Sequence, residues 1–303
     1  MEVQALPDRL APMNASGDAL SSILVNRCSV SYKKGGSGPP LIFFHGWVGD
    51  EDAFSPCSDA FARHFTVYTP AWPGYGRSSC LTNIRVEDMV EIARRLILAA
   101  DRPPVTILGS CLGGAVAIEL VRLYPELVER LILVEVYDYL PWYMYPLLVP
   151  HLNLFIYNRV FKSRTGFRIL NRLLTTKFSS NEGGMRYVAD GFLNTNGKAA
   201  LDFLKAVKRF ERQLCRERYH SNVPTIYVQG GKSFKPLQEF KKTAVRFFRN
   251  LTVVSMPESL HVPIAEQPEL FSAKVLHLLG HPQDVISGCD RVSTSVSSPL
   301  LPV

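Results

Sequence analysis

One hexapeptide concentrates the chemistry this sequence offers: Gly109-Ser110-Cys111-Leu112-Gly113-Gly114. The apolar run Val105-Thr106-Ile107-Leu108 precedes it and a helical stretch follows over 112–124, so the thiol falls at a strand-to-helix corner. A corner of the form G-x-nucleophile-x-G presents its central residue on a strained turn, and its glycines let strand and helix approach closely. Register decides which residue stands at the tip. Ser110 would need small residues at 108 and 112, and both are leucine, which leaves Cys111. A helix starting there aims the positive end of its dipole at the sulfur, which favours the reactive thiolate. The chemistry is attack on a carbonyl carbon, with a thioester as the covalent intermediate.

No rival centre stands out. Cys57, Cys80 and Cys215 have no elbow, and with Cys28 and Cys289 the cysteines show neither a CxxC pair nor metal-ligand spacing. There is no Gly-rich phosphate loop and no paired-carboxylate motif. The reading therefore implies no metal and no organic cofactor.

The elements that must position Cys111 alternate along the chain. Apolar runs suited to buried parallel strands occur at 40–44, 65–69, 104–109, 130–136, 223–229 and 251–255, with a weaker edge candidate at 22–32. Helical stretches fall at 52–63, 85–100, 112–124 and 236–248, and a last one at 268–279 starts on Pro268 and ends before Gly280. This β-then-α order predicts an α/β protein with a mostly parallel sheet flanked by helices and joined by right-handed crossovers. The interval 137–222 breaks the rhythm, being helical and aromatic-rich, and predicts a helical lid inserted after strand six. The core is then 21–136 with 223–280. Polar segments at 1–20 and 281–303 are expected to be disordered.

These motifs resemble the α/β-hydrolase superfamily over about 25–280. Phe43-Phe44-His45-Gly46-Trp47 resembles its oxyanion loop, and Pro73-Gly74-Tyr75-Gly76-Arg77-Ser78 its turn after strand four. Leu260-His261, followed by Glu266-Gln267-Pro268-Glu269, resembles its catalytic-histidine loop and last helix. The resemblance implies His261 as general base and the backbone N–H groups of Trp47 and Leu112 as the oxyanion hole. His45 is expected to be structural. The acid departs from the usual pattern, because Gly230-Gly231-Lys232-Ser233 puts serine where the family commonly has aspartate. Some members take the acid from the end of strand six, which implies Glu135 here, with Asp138 in reserve. An elbow cysteine resembles those of dienelactone hydrolases and polyhydroxyalkanoate synthases, without further likeness to either.

Three functions stay open at this point. One is a hydrolase of ester, thioester or lactone bonds of an apolar acyl substrate, through a Cys-His-Glu triad. The second is an acyltransferase using the same acyl-enzyme, and the third a non-catalytic binding protein. The 303 residues, 47% apolar and 20% charged, suit one globular domain with an insertion. A net charge of +7 favours anionic partners such as an acidic acyl carrier or a lipid surface, while no nucleic-acid module is present. The first residues carry acid and no signal-type apolar core, so a cytoplasmic location, with peripheral membrane contact left open, is the expectation.

Overall fold

A computed structural model describes residues 19–79, 83–100, 103–137, 139–174, 178–214 and 220–281. Asp138, Cys80, Cys215, Cys289 and most of both expected tails lie outside the described residues.

Eight strands form one sheet: β1 (Ala19–Val25), β2 (Cys28–Gly35), β3 (Pro40–Phe44), β4 (Thr66–Pro70), β5 (Val105–Ser110), β6 (Val128–Val134), β7 (Thr225–Gly230) and β8 (Leu251–Met256). Their order is β1-β2-β4-β3-β5-β6-β7-β8. Only β1 and β2 are antiparallel to their neighbours; the rest run parallel. Ala19 and Leu20, expected in the loose N-terminal segment, instead open β1, where they pair with Lys34 and Lys33. The ladder across β2 satisfies backbone groups that composition alone would leave to water.

Helices α1 (Ser55–Ala62), α2 (Val86–Ala99), α3 (Leu112–Leu123) and α8 (Lys235–Phe247) alternate with the strands. The short α9 (Pro263–Glu266) and α10 (Pro268–Leu278) follow β8. Both faces of the sheet are covered, so its central strands are apolar throughout rather than alternating. Strand period two still divides them. Ile42, Phe44, Ile107, Leu131 and Leu133 join the layer of α2 and α3, whereas Leu41, Phe43, Leu108, Ile132 and Val134 join that of α1 and α10. Phe43 is fully buried, with its ring 4.7 Å from that of Phe54 and 5.4 Å from that of Phe61. Phe43→Ala is expected to cost about 3–5 kcal/mol, read from the urea midpoint. A cost below about 1 kcal/mol would mean that this layer repacks freely.

Between β6 and β7 the described residues contain no strand. A 3₁₀ segment over Trp142–Leu148 leads into α4 (Leu152–Ile156), which continues through a π-helical turn at Tyr157–Phe161. Then come α5 (Arg164–Leu173), α6 (Glu182–Asn194) and α7 (Gly197–Leu214). The segment is tied to the sheet's carboxyl edge through aromatic packing: the Trp47 ring lies 5.3 Å from both Phe161 and Phe192, and its indole N–H donates to the Ala200 carbonyl at 2.9 Å.

Candidate active site

The turn between β5 and α3 is as tight as the glycine pattern requires. Cys111 sits alone between strand and helix with φ 52° and ψ −120°, a left-handed conformation that costs about 1–3 kcal/mol for a residue with a Cβ. A Cβ at Gly113 would stand 2.4 Å from the carbonyl oxygens of Phe44 and His45, so α3 can meet β3 only through glycine. A Cβ at Gly46 would stand 2.8 Å from that of Cys111. The loop after β3 thus passes directly against the thiol.

His261 follows β8 on a loop held by its own backbone N–H, which donates to the Phe178 carbonyl at 3.3 Å. Rings of Tyr137, Phe178 and Phe234 surround the imidazole, at 5.7, 6.4 and 5.7 Å. Its side chain is only 10% exposed. Nδ1 lies 3.5 Å from Glu135 Oε2, a long contact. Burial disfavours the charged ring, but hydrogen bonds to Cys111 and to Glu135, with their charges, outweigh it and push the group up to about 10. Cys111, His261 and Glu135 are therefore brought together from the ends of three separate strands.

Glu135, one residue past β6, is completely buried and takes φ 50°. Its backbone N–H donates to Val228 O on β7 at 3.1 Å. Oε1 accepts from the Gly230 N–H at 2.6 Å, and Oε2 accepts from the Ser233 hydroxyl as well as facing His261. The serine at the usual acid position is thus a donor to Glu135. Sequence reasoning read Ser233 only as a departure. Its signal was the pairing of that serine with an acid at the end of the neighbouring strand.

The oxyanion-loop residues divide by role. His45 is buried; its Nε2 accepts from the Trp72 N–H at 3.0 Å, so Nδ1 carries the proton and donates to the Gly46 carbonyl at 3.0 Å. Burial, only partly offset by the Gly46 contact, lowers this ring to about 4, and it stays neutral as a brace for the loop. The Trp47 carbonyl accepts from the Tyr75 hydroxyl at 3.0 Å. The backbone N–H groups of Trp47 and Leu112 have no hydrogen-bond partner among the described residues, and both residues line the space above Cys111.

That space is a cavity of about 300 Å³. Cys111, His261 and the β3 loop form its floor; Leu140, Met144, Leu147, Ile156, Val160, Phe161 and Phe192, from the helical segment between β6 and β7, form its walls. Among the described residues, no lysine, arginine, aspartate or glutamate lines it. Tyr187, also on the wall, has its hydroxyl engaged by the Ala53 carbonyl at 2.6 Å.

A family model for the alpha/beta hydrolase fold matches residues 39–262. The chain belongs to that family. It is 23% identical over 239 residues to a Haemophilus influenzae protein described as an esterase/lipase, covering 76% of this chain and 79% of that one. Against a pimeloyl-acyl-carrier-protein methyl ester esterase of Nitrosomonas europaea the figures are 30% over 169 residues, 53% and 62%, so that match spans less than two thirds of the relative. Epoxide hydrolase I of potato (Solanum tuberosum) superposes with a TM-score of 0.73 at 16% identity, over 86% of this chain and 98% of that one, a likeness of fold. Within this family the protein is a hydrolase-type enzyme.

The raised His261 has a measurable consequence. A group whose folded value lies above its ordinary 6.5 contributes stability that is complete below about 6.5 and is lost as the pH rises through about 10. NMR of ring-labelled protein is expected to show His261 protonated at neutral pH and titrating near 10. Cys111→Ala is expected to shift that titration downward, since it removes the hydrogen bond that raises the ring most. An unshifted titration would mean that thiol and imidazole do not interact.

Proposed function

We propose that this hydrolase cleaves an ester, thioester or lactone bond of an apolar acyl substrate, with Cys111 as nucleophile, His261 as general base and acid, and Glu135 as the carboxylate that orients it. The observation that carries this reading is the convergence of Cys111 on a strained elbow, a buried imidazole within hydrogen-bond reach of it, and a cavity walled by apolar side chains above both. The named esterases among its relatives support the hydrolytic class.

In the first step the Cys111 thiolate attacks the acyl carbon, and the carbonyl oxygen becomes an oxyanion facing the Leu112 and Trp47 amides. The His261 imidazolium gives its proton to the departing oxygen or sulfur as the tetrahedral adduct collapses to a thioester. Acylation removes the thiolate that stabilised the charged ring. His261, now neutral, takes a proton from water as it attacks the thioester, and a second tetrahedral adduct expels Cys111. Glu135 faces Nδ1, so the reacting nitrogen is Nε2.

Esters of p-nitrophenol with short and long acyl chains test the reaction. Free acid released without any added acceptor, and lost in Cys111→Ala, supports hydrolysis. Turnover that requires an added alcohol or amine would assign the same site to acyl transfer. Binding of fatty acyl compounds without turnover would assign it to a binding protein.

A further inference from the structure

Residues 139–181 contain six Lys or Arg residues (Arg159, Lys162, Arg164, Arg168, Arg172 and Lys177) and no Asp or Glu. This stretch supplies much of the cavity wall, and several of its large apolar side chains are exposed. A turn at 162–163 folds α5 back against the preceding π-helical turn. Ile156, Val160, Leu170 and Leu174 point into the cavity from this hairpin. The flanks of these helices, turned away from the cavity-lining residues, carry Phe155, 63% exposed, Ile169, 55%, and Leu173, 78%, the last two one turn apart. Arg159 and Arg168 are exposed beside them, and with Lys162 they make no ion pair among the described residues; Arg164 is held by Asp190 at 3.0 Å. Large exposed apolar side chains on a water-facing helix are costly unless something covers them.

We propose that this hairpin docks on the surface of an anionic lipid bilayer, with the apolar ridge in the acyl region and the arginines at the headgroups, so that the cavity mouth faces the lipid. Exposed Arg159 and Arg168, on a stretch of chain with no acid of its own, match negative headgroups, each cation near such a surface contributing about 1 kcal/mol. Bulky aliphatic and aromatic side chains flanked by arginine are the composition of helices that lie in the interface plane. An acidic carrier protein would also meet the charge, but a ridge of protruding apolar side chains suits insertion into lipid better than contact with a hydrophilic partner. No helix among the described residues is long and apolar enough to cross a membrane, so the contact is peripheral. The inference deepens the proposed reading by placing its acyl substrate in the bilayer, yet the binding itself does not require turnover.

The test is co-sedimentation of the full chain with phosphatidylserine–phosphatidylcholine vesicles and with pure phosphatidylcholine vesicles, using Cys111→Ala alongside wild type. Binding at least tenfold stronger to the anionic vesicles, weakened by salt and equal in Cys111→Ala, is expected. Ile169→Ser with Leu173→Ser, and separately Arg159→Glu with Arg168→Glu, should each lower it about tenfold or more while leaving turnover of a water-soluble ester unchanged. These four side chains lie outside the cavity lining, so a variant that keeps soluble activity is folded. Absence of vesicle binding, undiminished binding by both double variants, or binding only to an acidic carrier protein would overturn the proposal. Failure of catalysis with intact vesicle binding would overturn the mechanism alone.

Discussion

Incubated with an acyl thioester, the wild-type chain is expected to gain the mass of one acyl group, and Cys111→Ala to gain none. The elbow makes this all-or-none. Only Cys111 stands at the junction of β5 and α3 with a left-handed φ of 52°, while Cys28 and Cys57 are buried in the core. Burial also pushes the Cys57 thiol up, out of the reactive range. His261→Ala should still permit slow acylation but retard both steps, by about 10²–10⁴ in rate, the usual contribution of a positioned acid–base group. Intact-mass spectrometry with quenched time points reads both. Labelling of Cys111→Ala at another cysteine, or equal rates with and without His261, would remove the proposed roles. A thiol alkylator adds a control that needs no knowledge of the substrate. If Cys111 stays unmodified while the chain is folded, the nucleophile reading fails, and a binding function becomes the better account.

Glu135→Gln should lower kcat by about 10²–10⁴, the range expected when a carboxylate that sets the imidazole tautomer is replaced by its amide. Two carboxylate oxygens here face three donors: the Gly230 N–H, the Ser233 hydroxyl and His261 Nδ1. Glutamine has one acceptor oxygen, and its NH₂ would turn donors toward donors in a site with no exposure. The charge that helps hold the imidazolium is lost as well, so the His261 titration near 10 should move down with kcat. That joint shift separates a positioning role from a loss of fold, which a thermal melt of the variant checks directly. Ser233→Ala should cost much less, because it removes a neutral donor and leaves the charge in place. Activity within a few-fold of wild type in Glu135→Gln would dismiss Glu135 and leave Asp138 as the carboxylate to test.

The order of strands and helices and the identity of the elbow residue were legible in the sequence for local reasons. Apolar runs such as 40–44 and 105–108 match strands buried on both faces, and the constraint that places glycine at 109 and 113 acts within a few residues of Cys111. Chain order alone put His261 after the last strand. Composition misjudged Ala19 and Leu20, because a strand edge is stabilised by its partner strand, not by its own residues. The hydrogen bond from Ser233 to Glu135 was not legible, since the two stand 98 residues apart and meet only because β6 and β7 pair in parallel register. Nor could spacing tell which side of the 152–173 hairpin faces the cavity. Its helices are apolar on two sides, and a periodic pattern fixes a face without naming what covers it. The sequence determined the fold and the tight strand-to-helix corner at Cys111 because those depend on short-range sterics and burial. Tertiary structure decided the partners of Glu135, the cavity and the outward ridge, because each depends on long-range contacts between segments that share no local signal.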